Sequence, residues 1–122
     1  MGTAGRPRAT WPWLALAVAS TVEQCVVLYL PDPAPVTAGL DFPGLDKIVH
    51  LTIFAVPTWA LLRVVQRRWI VPAAMLIQAV GSEFVQGALL SHRSGDVLDA
   101  VADTVGIASG LALAYRTRRR PG

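Results

Sequence analysis

Residues 69–90 read WIVPAAMLIQAVGSEFVQGALL, an apolar run with a single charged side chain, Glu83. An α-helix needs about 20 such residues to cross the hydrocarbon core of a bilayer. Residues 11–30, 48–65 and 97–115 form three further runs of similar character. The chain is 53% hydrophobic with a mean hydropathy of +0.48, which is too apolar for an ordinary soluble domain of 122 residues. The sequence therefore predicts an all-α, polytopic four-helix transmembrane bundle that forms a single domain over residues 1–122.

The charges predict an orientation for this bundle. Nine of the eleven Lys and Arg residues precede the first run, separate the second from the third, or follow the fourth, and the eight acids lie elsewhere. Short loops rich in Lys and Arg stay in the cytoplasm, so both termini are predicted to be cytoplasmic. Basic blocks beside apolar runs indicate the anionic inner leaflet rather than nucleic acid as their partner. The predicted location is the bacterial cytoplasmic (inner) membrane.

Two further segments, the residues between the first two runs and the N-terminal residues, also carry a prediction. Residues 31–46 contain four prolines and two glycines, which predicts an extracytoplasmic loop. Residues 1–19, with Arg6 and Arg8, an apolar stretch and Ala17-Val18-Ala19, also resemble a cleavable signal peptide. Cleavage stays an alternative, although apolar character continues to Leu30, and it would leave three spans with unchanged topology.

Polar side chains inside the spans lie at similar depth. Glu83 is roughly 10 Å below the end of the third run, and Asp103 is roughly 9 Å inside the fourth, at a rise of about 1.5 Å per residue. His50 lies just inside the second run, and Glu23 and Gln24 lie near the outer end of the first. Charged residues within spans are costly and usually face the bundle interior. We therefore expect a small buried polar pocket that opens outward.

Helical spacing identifies the members of this pocket. Pairs three or four residues apart share a helix face. Lys47 and Arg93 add positive charge at the rim. The predicted polar pocket comprises Asp46, Lys47, His50, Glu83, Gln86, Arg93, Asp96, Asp99 and Asp103.

Structural roles are open for several of these residues. Asp46 and Asp96 are each placed to cap a helix, and Asp99 would then lie where an acid favours the helix dipole. His50 can be a satisfied structural residue, and Glu83 can pair with Arg93. Such accounts are weakest for Glu83 and Asp103, which lie too far from a helix end to gain from a cap or a dipole.

Two helix features predict close packing and a bend. Small residues recur every four positions at Ala102, Gly106, Gly110 and Ala114, which lets another helix approach closely, either within the monomer or across a dimer. Pro57 should bend the second helix and free a carbonyl that then needs another partner.

The second half of the chain resembles the VanZ-like family of small bacterial membrane proteins. The match covers residues 46–110. It consists of Asp46-Lys47-x-x-His50 with Phe54, then Glu83-x-x-Gln86, then Arg93-x-x-Asp96-x-x-Asp99-x-x-x-Asp103-x-x-Gly106-x-x-x-Gly110. The family usually carries Asn at the position of Asp103, so a neutral group has become ionisable here. The resemblance implies an association with low-level resistance to the lipoglycopeptide teicoplanin.

Three functions are consistent with these residues. The first is binding of an envelope lipid head group or cell-wall precursor, with Lys47 and Arg93 on its phosphate. The second is a membrane-embedded hydrolase or transferase acting on a lipid-linked phosphate or sugar, in which Glu83 or Asp103 is the acid and His50, held by Asp46, is the base. The third is a small proton-linked transporter that uses Glu83 and Asp103.

The sequence contains no diagnostic catalytic motif, so enzymatic activity stays open. The carboxylates and the histidine could also ligate a divalent metal, but the sequence lacks diagnostic ligand spacings such as HExxH or paired cysteines, so we predict no metal and no cofactor. The predicted partner is a membrane lipid or lipid-linked wall precursor, and the oligomeric state is open.

Overall fold

The computed structural model describes residues 10–29, 44–89 and 97–119 as four long α-helices. They are α1 (Trp11–Tyr29), α2 (Leu45–Val64), α3 (Ile70–Ala88) and α4 (Val97–Arg119). Each is long and apolar enough to cross a membrane. The prediction of an all-α bundle of four transmembrane helices is thereby confirmed.

The helix ends differ slightly from the predicted spans. α2 begins three residues before Ile48, because Gly44 adopts a left-handed conformation (φ 85°) that glycine alone tolerates readily and so starts the helix there. α4 continues past Tyr115 and ends at Arg119. The loop predicted at residues 31–46 lies outside the described residues up to position 43; Gly44 is the N-cap of α2, and Leu45 and Asp46 are its first two residues.

The bundle has an apolar exterior, and its interior contains polar side chains as well as apolar ones. Its exterior presents large apolar side chains such as Ile77, Val80 and Phe84, each about 70% exposed. Its interior holds a row of buried polar side chains: Ser20, Gln24, His50, Thr58, Ser82, Gln86, Asp99 and Asp103. The helices of a soluble bundle instead carry charged and polar residues on their outer faces, where they contact water. The apolar exterior agrees with a protein whose surface contacts lipid.

Helix α2 is at the centre. The buried share of its span is 44%, compared with 22% for α1, and it packs against all three other helices. Apolar side chains from all four helices meet around it in a core of Val27, Leu28, Ile53, Phe54, Met75, Ala79 and Ile107. Any polar group on the inner face of α2 is therefore surrounded by protein.

The α2–α4 interface is the most extensive in the bundle, and glycines make it close. A Cβ atom added at Gly110 would lie 2.6 Å from the carbonyl oxygen of Ala55 and 2.7 Å from Cβ of Thr58. At Gly106 it would clash with the carbonyl oxygen of Leu51. The small-residue stripe of α4 thus packs against α2 within the monomer. Because the two helices run parallel, their N-terminal ends lie side by side.

Candidate functional site

A polar cluster lies where the N-terminal ends of α2 and α4 meet the C-terminal half of α3. We define this cluster by its described members: Asp46, Lys47, His50, Glu83, Asp99 and Asp103. Lys47 and His50 are three residues apart on α2, and Asp99 and Asp103 are four apart on α4. Both spacings place the pair on one helix face, so the two faces meet along the interface.

His50 is the centre of the polar cluster. Its Nδ1 lies 2.6 Å from Oδ1 of Asp103, which is hydrogen-bond distance. The same nitrogen is 4.0 Å from Oε1 of Glu83, and its other ring nitrogen, Nε2, is 3.8 Å from Oδ2 of Asp99. One imidazole therefore faces three carboxylates contributed by α3 and α4.

Lys47 joins the rim of the cluster to its interior. Its Nζ donates hydrogen bonds to Oδ1 of Asp99 at 2.5 Å and to Oδ2 of Asp46 at 2.8 Å. A charge-assisted hydrogen bond to a mostly buried carboxylate such as Asp99 is stronger than an exposed ion pair. Lys47 consequently holds Asp99 in place next to His50.

Exposure falls steadily from one end of the cluster to the other. The side chain of Asp46 is 58% exposed, that of Lys47 is 29% exposed, and that of Asp103 is completely buried. His50 and Glu83 lie near the buried end, at 6% and 13%. The cluster thus opens at the helix ends and closes toward the middle of the bundle.

Only one of the two carboxylate oxygens of Asp103 forms a hydrogen bond within the described residues. Its Oδ1 faces His50, whereas its Oδ2 is buried and has no hydrogen-bond partner among the described residues. Leaving such an atom without a partner costs about 1–3 kcal/mol, and more if it is charged. A hydrogen-bond donor or a cation at this position would offset the cost.

The structure brings together most of the predicted pocket residues but assigns some of them different partners. His50 bonds to Asp103 rather than being held by Asp46, which pairs with Lys47 instead. The interpretation of Asp46 as the cap of α2 is wrong, because Gly44 occupies that position and no side chain caps it. Asp99, by contrast, lies in the first turn of α4 as expected. Arg93 and Asp96 lie outside the described residues.

Gln86 is buried one helical turn from Glu83 on α3, and its side chain forms a hydrogen bond with α1. Its Nε2 donates to the carbonyl oxygen of Leu28 at 2.8 Å. Leu28 belongs to the last turn of α1, where carbonyl groups lack partners within the helix. Gln86 therefore caps α1 and holds it against α3.

The interior residue that sequence reasoning did not assign is Gln24. Pro57 has no N–H, so the carbonyl of Ile53 lacks its usual partner within α2. Gln24 of α1 supplies the missing donor, with Nε2 2.9 Å from the Ile53 oxygen. Its neighbour Glu23 is exposed on the outside of the bundle and takes no part in the cluster. The sequence did contain both parts of this contact: Pro57, which frees a carbonyl in the second span, and an amide side chain in the first span.

The other end of the bundle has a different chemistry. The guanidinium carbon of Arg63 lies 4.5 Å from the ring centroid of Trp13, and Trp13 packs edge-on against Trp59 at 5.1 Å. Residues of α2, α3, α4 and the turn before α3 line a cavity of about 250 Å³ that is largely apolar. Cation–π and aromatic contacts of this kind stabilise packing.

Comparison of the chain with protein-family models, with curated proteins and with solved structures found no match. The geometry of the cluster is therefore the basis for a functional proposal. Chemically, it offers a histidine between carboxylates, whose donor atoms at His50, Glu83 and Asp103 all lie within 4.8 Å of one another. Such a set can exchange protons, accept hydrogen bonds from a ligand or ligate a cation.

Proposed function

We propose that this chain is a VanZ-like protein of the bacterial cytoplasmic membrane that binds the polar head group of an envelope lipid or lipid-linked wall precursor. One observation carries the proposal: a polar cluster drawn from three helices, open at the helix ends and buried within an apolar bundle. A link to teicoplanin resistance follows from the VanZ-like motifs in residues 46–110 and is part of the same proposal.

The energetics of the membrane support a binding role. Ionisable groups in a span are expensive and are seldom retained without a task, because apolar packing would serve stability equally well. The exterior of this bundle is apolar, whereas its helix-end cluster is polar. A ligand that contacts both must itself have an apolar tail and a polar head, which is the chemistry of a lipid.

The charges of the cluster suggest how a head group is held. Carboxylates outnumber cations among its described members, so hydroxyl or ammonium donors of the head group match Glu83 and Asp99. Lys47 is half-buried at the opening and is placed to contact a phosphate. The Lys and Arg pattern predicts that this opening is on the extracytoplasmic side and that both termini are in the cytoplasm.

Native mass spectrometry of the purified protein in detergent tests the binding proposal. The lipids to compare are phosphatidylglycerol, phosphatidylethanolamine and an undecaprenyl-linked wall precursor. Asp99→Asn and Lys47→Ala should weaken binding of the preferred lipid about tenfold or more, equal to about 1.4 kcal/mol. Glu23→Gln is the matched control, since it removes an exposed carboxylate of α1 outside the cluster. Equal binding by all four proteins would refute the proposal.

A second candidate function is hydrolysis or group transfer on a lipid-linked phosphate or sugar. The observation that favours it is the His50–Asp103 pair at 2.6 Å, since a carboxylate that orients an imidazole is a recurring arrangement in general base catalysis. Glu83, 4.0 Å away, would be the acid. Turnover of a radiolabelled lipid-linked substrate should then fall about 100-fold or more in both His50→Gln and Glu83→Gln. Binding that persists without turnover would leave the first proposal standing alone.

A further inference from the structure

We infer that His50, Glu83 and Asp103 form a binding site for one divalent transition-metal ion of the zinc or manganese type. Each residue comes from a different helix, and one donor atom of each lies within 4.8 Å of the other two. The inference stands on this geometry and does not require that a lipid binds.

The spacing of the donors is close to that of a metal site. Zinc binds nitrogen and oxygen at about 2.0–2.2 Å, so neighbouring donors of a tetrahedral site are roughly 3.4 Å apart. Nδ1 of His50 and Oε1 of Glu83 are 4.0 Å apart, so they need to approach by about 0.6 Å. A change of rotamer of Glu83 would bring these atoms together, because its side chain is long.

Asp103 contributes the observation that points to a ligand. Its side chain is completely buried, and Oδ2 has no hydrogen-bond partner among the described residues. Its Oδ1 lies 2.6 Å from Nδ1 of His50, which is closer than two donors to one metal ion can be. A proton occupies that short contact when no metal is bound. Metal binding releases the proton, and Oδ2 is the oxygen then available to the ion.

A carboxylate lies near the second ring nitrogen of His50, as it does in many metal-bound histidines. Such a histidine almost always directs its second ring nitrogen toward a carboxylate, which sets the tautomer and ring orientation. Nε2 of His50 lies 3.8 Å from Oδ2 of Asp99, so the two atoms need to approach by about 0.8 Å to form a hydrogen bond, and Lys47 anchors the other oxygen of the carboxylate at 2.5 Å. Asp99 is thus a positioning residue that leaves Nδ1 available to the ion.

The donor set selects the class of metal. An imidazole nitrogen suits zinc, iron, copper or nickel, and carboxylates extend the range to manganese, whereas calcium and magnesium prefer oxygen ligands alone. Three protein ligands leave at least one coordination position open for water or for an oxygen atom of a ligand. A divalent ion also balances the excess of carboxylates in the described cluster. A site of this composition can hold a phosphate oxygen that carboxylates alone would repel.

The experiment uses full-length protein purified in detergent with a tag that contains no histidine. The chelator-treated protein is titrated with Zn²⁺ and Mn²⁺ by isothermal titration calorimetry, and bound metal is counted by mass spectrometry after gel filtration. We expect one ion per chain. Affinity should fall at least 100-fold in Asp103→Asn and His50→Ala, and 10- to 100-fold in Asp99→Asn. Glu23→Gln, which removes a carboxylate outside the cluster, should bind like the unaltered protein.

Two results would overturn the inference. One is the absence of a stoichiometric ion in the unaltered protein, and the other is equal binding in Asp103→Asn and Glu23→Gln, which would identify adventitious metal. If a variant does not elute from gel filtration as a folded protein, its affinity cannot be compared. The visible spectrum of Co²⁺ bound to the unaltered protein then tests the site. This spectrum should show nitrogen and oxygen ligation, and a spectrum identical to that of Co²⁺ in detergent buffer would refute the site.

Discussion

The hydrogen bond between Gln24 and the carbonyl of Ile53 should depend on Pro57. Proline leaves that carbonyl without its partner in α2, and Gln24 donates to it at 2.9 Å. Gln24→Met keeps the length of the side chain but removes the donor. The Ile53 oxygen then stays buried and unpaired, which costs about 1–3 kcal/mol. The bonds of Gln24 to Met75 and Gln78 are 3.5 Å long and contribute little.

Pro57→Ala provides the matched background. Alanine restores an N–H at position 57, which can donate to Ile53 within the helix. In that background Gln24→Met should cost less than about 1 kcal/mol, because the carbonyl keeps a partner. The two costs should thus differ by roughly 1–2 kcal/mol, near the upper end of the couplings measured between membrane helices. Packing lost with the proline ring cancels in this comparison.

The free energy of unfolding is measured for the four proteins in mixed detergent micelles, with helical circular dichroism followed against the fraction of a denaturing detergent. The reasoning fails if Gln24→Met costs the same in both backgrounds. It also fails if Gln24→Met costs nothing in the presence of Pro57.

Other predictions follow from single contacts. Gly110→Ala should lower the free energy of unfolding by about 1–2 kcal/mol, because the cost of overpacking against α2 exceeds the gain in helix propensity. A Cβ atom at Gly81 would meet nothing within 4 Å, so Gly81→Ala should leave the free energy of unfolding unchanged or raise it by up to about 1 kcal/mol. Equal effects of these two changes would contradict the close α2–α4 contact. Gln86→Met should cost about 1–2 kcal/mol and increase amide hydrogen exchange in the last turn of α1, and unchanged exchange there would argue against its capping role. Asp103→Ala should lower the free energy of unfolding by about 2–3 kcal/mol, because it leaves His50 without this hydrogen bond. Asp103→Asn keeps a hydrogen-bonding group and should cost less than about 1 kcal/mol in the same unfolding assay. Similar losses in both variants would exclude the hydrogen bond as the cause.

The composition and length of the apolar runs were sufficient to predict the four helices. Hydropathy identifies a span because the bilayer core admits about 20 apolar residues and forces backbone groups to pair within a helix. The same reasoning predicted that Glu83, His50 and Asp103 lie at matching depth, because rise per residue converts position into height. The freed carbonyl at Pro57 was likewise predictable, since proline lacks an N–H wherever it occurs.

The partners of these groups could not be predicted in the same way. Each helix is apolar on most sides, and a bilayer accepts apolar side chains on the outside as readily as the core does on the inside. Hydropathy therefore does not indicate which face is buried. Glu23 and Gln24 are adjacent in sequence, yet one is exposed and the other completely buried. Only the rotation of α1 in the assembled bundle separates them.

The number of helices and their approximate ends could be predicted from the sequence, because these depend on local hydrophobicity and on distance along one helix. The packing of the helices, in contrast, sets the hydrogen bonds of His50 to Asp103, of Lys47 to Asp99 and of Gln24 to Ile53. These pairings depend on how closely α4 approaches α2 and in what register. The backbone contact at Gly106 and Gly110 sets both, and it exists only when two distant segments pack together.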